Sequence, residues 1–371
     1  MYMLLKAEPM KKTLVLFVCI FLTLTARSQE AVKIGIAGLS HSHVVPLLRA
    51  MDRSDIQIVG IAEVNRDLSD RYVERFNIDK SIVYGSLEEM LEKSKPEGVV
   101  TFTSIFEHLD VVKACAPRGI HVMVEKPLAV SVAHAEQMIA LADQYNILLL
   151  TNYETSWYPS IYEVYGMIEQ GKAGDIRKVI VYDGHKGPKE INVNEEFLEW
   201  LTDPVLNGGG AVTDFGCYGA NLITWIMKGE EPESVYASLK QYKPGVYPRV
   251  DDDATIVLSY PEMEGVIHAS WNWPFSRKDM HVYGNRGYVY QDDPYTIRYR
   301  FKEKEKEQKM QLPLSRAPFT DPFTFFATAV KGDILINDTD LSSPATNLTV
   351  VKILEAAKES SRSGKEVFLS K

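Results

Sequence analysis

Three residues carry most of the chemistry this sequence offers: Lys126, Asp214 and Tyr218. Lys126 stands in Val122-Met123-Val124-Glu125-Lys126-Pro127, where an apolar run closes on a lysine and a proline. Such a run reads as the strand that closes a βα unit, and in an open α/β sheet ligands bind outside the carboxyl ends of the strands. A lysine fixed there can contact both a nicotinamide ring and a substrate oxygen. Taken alone it is a surface lysine before a loop proline; the order of the features around it changes the reading. Asp214 and Tyr218 follow a triple glycine, Gly208-Gly209-Gly210, which marks close backbone approach or a flexible turn. Four residues apart, they share a face if they lie on one helical turn, which pairs an acceptor with a proton donor. Hydride transfer at an alcohol carbon needs such a set: groups that hold the C–O bond and a partner for the hydroxyl proton.

A second group of residues has the pattern of a dinucleotide site. Lys33-Ile34-Gly35-Ile36-Ala37-Gly38 is a strand running into a turn, Gly38-Leu39-Ser40-His41-Ser42-His43. The turn stands in the place of G-x-G-x-x-G, with only the first glycine kept. Ser40 is small enough for close pyrophosphate approach, whereas His43 is bulky enough to push helix and strand apart. Backbone N–H groups at the helix start can still meet phosphate. Glu63 follows 25 positions after Gly38, near the usual spacing of about 20 for a ribose-binding acid. It would accept from the adenosine 2′-OH and repel a 2′-phosphate, so NAD is expected over NADP, with Arg66 as the nearby basic residue that could favour NADP. His41 and His43 invite a metal reading, but their spacing lacks a Cys or acidic partner in register, so no metal is expected.

These residues need elements to position them. Apolar strands at Val32–Ala37, Gln57–Ala62, Gly98–Thr103, His121–Val124 and Ile147–Thr151 alternate with helices at Ser42–Met51, Arg66–Phe76, Leu109–Arg118 and Val132–Tyr145. This alternation predicts a doubly wound parallel sheet. Beyond residue 152, a helix at Ile161–Gln170 is followed by consecutive strands at Ile176–Asp183, Ser234–Lys240, Ala254–Tyr260, Glu264–Trp271, Asp279–Tyr283, Gly287–Gln291 and Thr296–Phe301. Tight turns between them predict a mostly antiparallel sheet. Lys302–Lys309 alternates in charge and reads as a solvated hairpin or edge strand.

In order and spacing, these motifs resemble the glucose-fructose oxidoreductase / inositol dehydrogenase / rhizopine catabolism (Gfo/Idh/MocA) family over nearly the whole chain after its first 28 residues. The resemblance runs from the Gly35 strand through Glu125-Lys126-Pro127 and Asn207–Tyr218 to the helix containing Asn347–Ala357. It implies an α/β protein with an N-terminal Rossmann sheet and a C-terminal α+β domain carrying a large, mostly antiparallel open sheet. It also implies that helices Asp321–Val330 and Ala345–Ser360 return to brace the first domain. Lys126 matches the family lysine that binds the reacting oxygen and the ribose, and Asp214 the family aspartate. Tyr218 stands where most members have histidine; glucose-fructose oxidoreductase and the dimeric dihydrodiol dehydrogenases also have tyrosine there. A neighbouring ammonium such as Lys126 would favour its phenolate. Thr103-Ser104-Ile105-Phe106-Glu107-His108 aligns with a Thr-Pro-Asn-x-x-His loop beside the nicotinamide ribose, with Ser104 and Ile105 replacing Pro and Asn and His108 kept. The implied cofactor residues are therefore Gly38, Ser40, His41, Ser42, His43, Glu63, Ser104, His108, Glu125 and Lys126. The segment Asn152–Pro159 should face the same cleft, with Tyr153, Trp157 and Tyr158 toward substrate but without the arginine most members have. Asn221 replaces an acid near the substrate. His185, in the turn-rich Asp183–Pro188, could rim the site, and Lys186, Trp271 and Trp273 are weaker pocket candidates.

The chain has 371 residues and a formal net charge of -9, enough for two domains and opposed to a nucleic-acid footprint. Met10-Lys11-Lys12, the apolar Leu14–Leu24 and Thr25–Gln29 read as a cleaved secretory signal rather than a membrane span, with Met10 an alternative start. Val18 before Cys19 argues against a lipoprotein signal. Cys115 and Cys217 are expected as free thiols. The expected layout is a signal over 1–28, a nucleotide domain over 29–151, a substrate and oligomerisation domain over 152–344, and a returning helical segment over 345–371. The reading is an exported NAD-dependent oxidoreductase of sugars, polyols or glycosides, with tightly held NAD and a homo-oligomeric state expected from the resemblance. Its rival is a redox-neutral hydrolase or lyase that oxidises a sugar transiently and needs one more base, Tyr218 or His185. A third reading, a binding protein on a relic fold, is opposed by the intact triad.

Overall fold

The structure, a computed structural model, describes residues 30–369. The expected signal segment lies outside them. The first sheet contains β1 (Val32–Ala37), β2 (Ile56–Ala62), β3 (Val83–Tyr84), β4 (Gly98–Thr101), β5 (His121–Glu125) and β6 (Leu149–Asn152). All neighbours are parallel, in the order β3-β2-β1-β4-β5-β6. The strands read as mostly apolar runs, interrupted at the exposed Lys33 and Gln57, because helices cover both faces. The order reverses between β1 and β4, which puts a crevice at the carboxyl ends of the strands. Gly38 follows β1, Glu63 follows β2, Ser104 lies past β4, and Glu125 ends β5.

The second sheet has nine strands: β7 (Ile176–Gly184), β8 (Ser234–Lys240), β9 (Asp253–Ser259), β10 (Glu264–Ser270), β11 (Arg277–Gly284), β12 (Tyr288–Asp293), β13 (Thr296–Arg300), β14 (Gln308–Gln311) and β15 (Val367–Phe368). Their order is β14-β13-β12-β11-β7-β10-β9-β8-β15. Only the β7–β10 pair is parallel. One face is buried under the helices Gly216–Ile226 and Pro344–Ser363. The other carries half-buried aromatic residues, with Tyr182 stacked on His268 and Tyr288 stacked on Tyr290. The charge-alternating segment ends in the exposed edge strand β14.

Three details differ from the sequence reading. The first helix is only Val44–Arg49, because the chain from His41 to His43 turns on its own hydrogen bonds: the Val44 N–H donates to the His41 carbonyl and the His43 N–H to His41 Nδ1. Strand β3 and a helix at Leu87–Ser94 add a unit between β2 and β4. Finally, the two late helices part company. Pro322–Val330 buries Phe323 and Phe326 in the first domain. Pro344–Ser363 instead packs Val350, Ile353, Leu354 and Ala357 into the core of the second and gives Val351 to the first. It joins the two cores rather than simply returning to one. Among the described residues no helix is long and apolar enough to cross a membrane.

Candidate active site

A cavity of about 580 Å³ opens over the carboxyl ends of β1, β2 and β4. Gly38, at φ +80°, forms its floor; a Cβ there would stand 2.6 Å from Thr103 Cγ2, so the turn needs glycine. Glu63 is buried at the wall, and its two oxygens accept from the Leu39 and Asn65 N–H groups, each at 2.8 Å. Burial raises its pKa against the pull of those two donors. Each oxygen keeps a lone pair for a ligand hydroxyl. Glu88, Glu107, Asp110, Glu196 and Glu199 also line this cavity, and among the described residues no lysine or arginine does. Ser104 lines it too, with its hydroxyl donated to Glu107. A glycine cradle, a carboxylate toward a ribose and an opening at the sheet's switch point fit a nicotinamide dinucleotide.

The turn itself is closed from above by a helix of the second domain, Glu195–Leu201, which Asn194 caps through the Phe197 N–H. Trp200 Nε1–H donates to Ser40 Oγ at 3.1 Å, and Arg71 pairs with Glu196. His41 is fully buried against Phe197 and Trp200, and burial holds it neutral, its pKa well below the ordinary value. His43 does not wedge helix from strand as expected. Its ring turns across the crevice, with Nδ1 3.0 Å from Glu125 Oε2. Glu125 thereby supplies the acidic partner that chain order hid, and ligand-type atoms of His41, His43 and Glu125 lie within 4.8 Å of one another. Hydrogen bonds account for the trio: Glu125 Oε1 accepts from Asn152 Nδ2, and His41 Nδ1 from the His43 N–H.

Beyond the turn lies a cavity of about 500 Å³ between the domains, and it holds Lys126, Asp214 and Tyr218 together. Asp251 builds the approach: its carboxylate accepts from the Gly210 and Val212 N–H groups at 2.8 and 2.7 Å. A Cβ at Gly210 would stand 1.8 Å from the Asp251 carbonyl oxygen, so the third glycine lets two backbones touch. Lys126 Nζ donates to Asp214 Oδ1 at 2.5 Å and to the Asp214 carbonyl at 3.1 Å. Trp271 Nε1–H holds Asp214 Oδ2 at 2.9 Å. Burial would raise the Asp214 pKa, but the Lys126 ammonium overrides it and keeps the group ionised.

Asp214 and Tyr218 are not on one continuous helical turn. The helix breaks at Phe215 between Ala211–Asp214 and Gly216–Ile226. Nor does Lys126 serve Tyr218 as expected: its Nζ lies 5.4 Å from the ring centre and is committed to Asp214. The ammonium at the phenol is Lys278, with Nζ 3.5 Å from Oη and 4.4 Å from the ring centre. Lys278 is in turn held by Glu154 at 2.5 Å, and Glu154 accepts from Tyr158 Oη. Burial disfavours the Glu154 carboxylate, yet Lys278 brings its pKa down to about 2. Burial pushes the Tyr218 phenol well above the ordinary tyrosine value, with the Glu154 carboxylate adding to it. The resting side chain is therefore a neutral phenol.

Of the expected substrate residues, Tyr158 and His185 line this cavity. His185 Nδ1 accepts from the Gly187 N–H at 2.9 Å, so the ring carries its proton on Nε2 and donates. That removes it as the extra base of the redox-neutral reading. Tyr153 is buried behind Tyr218, edge-on to its ring. Trp157 faces away, packing on Phe325 and donating to Asn152 Oδ1. Asn221 is fully buried and ties its helix to the Leu341 carbonyl. His108 and Glu125 sit behind the site. His108 Nδ1 bonds the Leu128 carbonyl under the Lys126–Pro127 turn, and burial lowers its pKa to about 4. Lys278, Glu154 and Asp183 are the residues that sequence reasoning missed. Cys115 and Cys217 are free and buried.

Comparison with known proteins agrees with this geometry. The sequence profile described as "Oxidoreductase family, NAD-binding Rossmann fold" matches residues 32–153, and "GFO/IDH/MocA C-terminal domain" matches 161–290. The trans-1,2-dihydrobenzene-1,2-diol dehydrogenase of Bos taurus is 27% identical over 261 residues, 70% of this chain and 72% of that protein. Its Xenopus tropicalis counterpart is 30% identical over 225 residues, 60% of this chain and 63% of that protein, so less than two thirds of that relative's length is spanned. An inositol dehydrogenase homolog complexed with NAD+ from Azotobacter vinelandii superposes with a TM-score of 0.80 at 18% identity, covering 92% of this chain and 98% of that one. Aldose-aldose oxidoreductase from Caulobacter crescentus, complexed with glycerol, gives 0.77 at 20% identity, covering 91% and 100%. With both domain profiles matched in order and the lysine, aspartate and tyrosine gathered at the mouth of the Rossmann sheet, the chain belongs to the GFO/IDH/MocA family of NAD-binding oxidoreductases.

Proposed function

We propose that the protein transfers hydride between NAD and the CH–OH or C=O carbon of a sugar, polyol or cyclic diol. The observation that carries this is the convergence of Lys126, Asp214 and Tyr218 on one cavity beside the Gly38 turn. When bound, the dinucleotide supplies the hydride donor or acceptor. Lys126, fixed by Asp214, holds the reacting oxygen. Tyr218 donates its proton to that oxygen during reduction and takes it back during oxidation, so the neutral resting phenol suits the reductive direction. Tyr158, Phe197 and Phe215 offer apolar faces to a ring. The diol and polyol relatives support this substrate class.

Glu63 and the acidic lining of the cofactor cavity favour NAD over NADP, because a 2′-phosphate would meet carboxylates and, among the described lining residues, no cation. Calorimetric titration should find tighter NAD(H) than NADP(H) binding, and Glu63→Ala should narrow the gap. The same preparation, given NAD+ with trans-1,2-dihydrobenzene-1,2-diol, myo-inositol and a set of aldoses, should form NADH with at least one. Tighter NADP(H) binding to the unmodified chain overturns the cofactor assignment. Failure of the whole panel in both directions overturns the substrate class.

The Leu14–Leu24 segment supports export to the periplasm or beyond, and free dinucleotide is scarce there, which favours tightly held NAD. Amino-terminal sequencing from the native host should find a start near Gln29; an uncleaved cytosolic chain refutes export. The aromatic open face of the second sheet supports a homo-oligomer. A purely monomeric sedimentation profile would remove that assignment.

A further inference from the structure

We propose that Lys278 is the positioning residue that governs ionisation of Tyr218, a role that the reading of the sequence gave to Lys126. The inference rests on the proton-transfer role proposed above for Tyr218. Its basis is placement. Lys278 enters from β11, in register opposite Asp183 on β7. It lies in phase with Met280 and Val282, which are fully buried, so its stem runs along the inner face of the sheet. Only its head reaches the cavity, where Nζ meets Tyr218 Oη at 3.5 Å and Glu154 Oε2 at 2.5 Å. Lys126 cannot do the same work while both its bonds go to Asp214.

The groups facing Tyr218 come from every neighbouring element. Lys126 and Glu125 stand at the end of β5, Glu154 in the segment after β6, Asp183 on β7, Lys278 on β11, and Cys217 beside it on its own helix. Tyr153 adds an apolar ring edge. Asp183 is fully buried, and burial raises its pKa well above the carboxylate range, so it counts as a neutral acid. Cys217 is likewise pushed up by burial and is neutral. Lys126 is balanced by Asp214, and Glu125 lies behind the strand end with His43 and Asn152. The balance at the phenolic oxygen then falls to Lys278, which favours phenolate, and Glu154, which disfavours it. Whenever Tyr218 has given up its proton, the anion left behind has the Lys278 ammonium at hand. Glu154, about half exposed, keeps that ammonium in place when the phenol is neutral.

The test needs no substrate. A fluorinated tyrosine, whose phenol ionises in a convenient range, is installed at position 218 and titrated by fluorine NMR in otherwise full-length protein. Lys278→Met should raise its pKa by at least about one unit, a tenfold change in ionisation constant. Lys278→Arg should restore most of the shift, because it keeps the charge. Glu154→Gln should move the titration the opposite way, downward, and provides a second reading if Lys278→Met fails to fold. A titration unmoved by Lys278→Met, or by Glu154→Gln where that is the variant that folds, overturns the assignment. The underlying reading fails separately: wild-type turnover by Tyr218→Phe would remove the proton-transfer role while leaving these titrations as they are.

Discussion

Tyr218→Phe is expected to lower turnover by about 10²–10⁴-fold, the usual worth of a positioned acid or base, with NAD affinity unchanged. The substitution removes one hydroxyl and keeps the ring. Tyr218 is 1% exposed, and its ring packs against Tyr153 and Phe215, contacts that phenylalanine retains. The lost polar contact is the long 3.5 Å approach of Lys278, so stability should change by no more than about 1 kcal/mol. The cofactor cavity does not include Tyr218, and calorimetry with NAD should not notice the change. Steady-state rates with whichever panel substrate responds provide the measurement. A variant that turns over as fast as the parent rules out the phenol as proton carrier.

Lys126→Ala should do two kinds of damage. Activity should vanish, since nothing else on β5 can hold the reacting oxygen. Stability should fall by about 3–5 kcal/mol at neutral pH, because Asp214 becomes a buried carboxylate with only the Trp271 N–H and no counter-charge. The sign of the pH dependence follows. In the parent, burial pushes the Asp214 pKa up but Lys126 wins, so the folded value lies below the unfolded one. Its stabilisation is present above the unfolded carboxyl pKa and is lost as pH falls through the folded value. In the variant burial is opposed by no ammonium and outweighs the Trp271 hydrogen bond, the folded pKa rises, and protonation relieves the unpaired charge. The deficit relative to the parent should therefore shrink as pH falls toward about 5. Denaturant melts at two pH values measure this, and the double change Lys126→Met with Asp214→Asn should recover most of the stability and none of the activity. An equal deficit at both pH values, without recovery in the double variant, means that the pair is not the charge-compensated unit described here.

Much of the fold was legible because its strands are buried on both faces and read as plain apolar runs. Strand β3 escaped, since two residues carry no period. The helix after it left a signal that went unused: Ser86 and Glu89 have capping-box spacing, and the Ser86 hydroxyl accepts from the Glu89 N–H. The site was legible where chain order carries it, at Gly38, Glu63, Lys126, Asp214 and Tyr218. It was not legible where the partner arrives from a distant strand. Lys278 and Asp183 each occupy an inward position of an alternating strand, in phase with Met280 and Val282 and with Val179 and Val181. A charged residue on the apolar phase of a strand was the available clue. The expectations for Tyr153, Trp157 and Asn221 failed for another reason. Proximity in sequence to a strand end does not fix which way a side chain turns, and all three turn into packing.

The helix Glu195–Leu201 walls both cavities at once. Glu196, Glu199 and Trp200 face the cofactor side, while Phe197 and Leu201 face the chemical side. A movement that frees Ser40 from Trp200 to admit a pyrophosphate also shifts Phe197 and Leu201. Such a movement would couple the two compartments through one helix, and by reciprocity whatever factor the dinucleotide imposed on substrate affinity, substrate would impose on the dinucleotide.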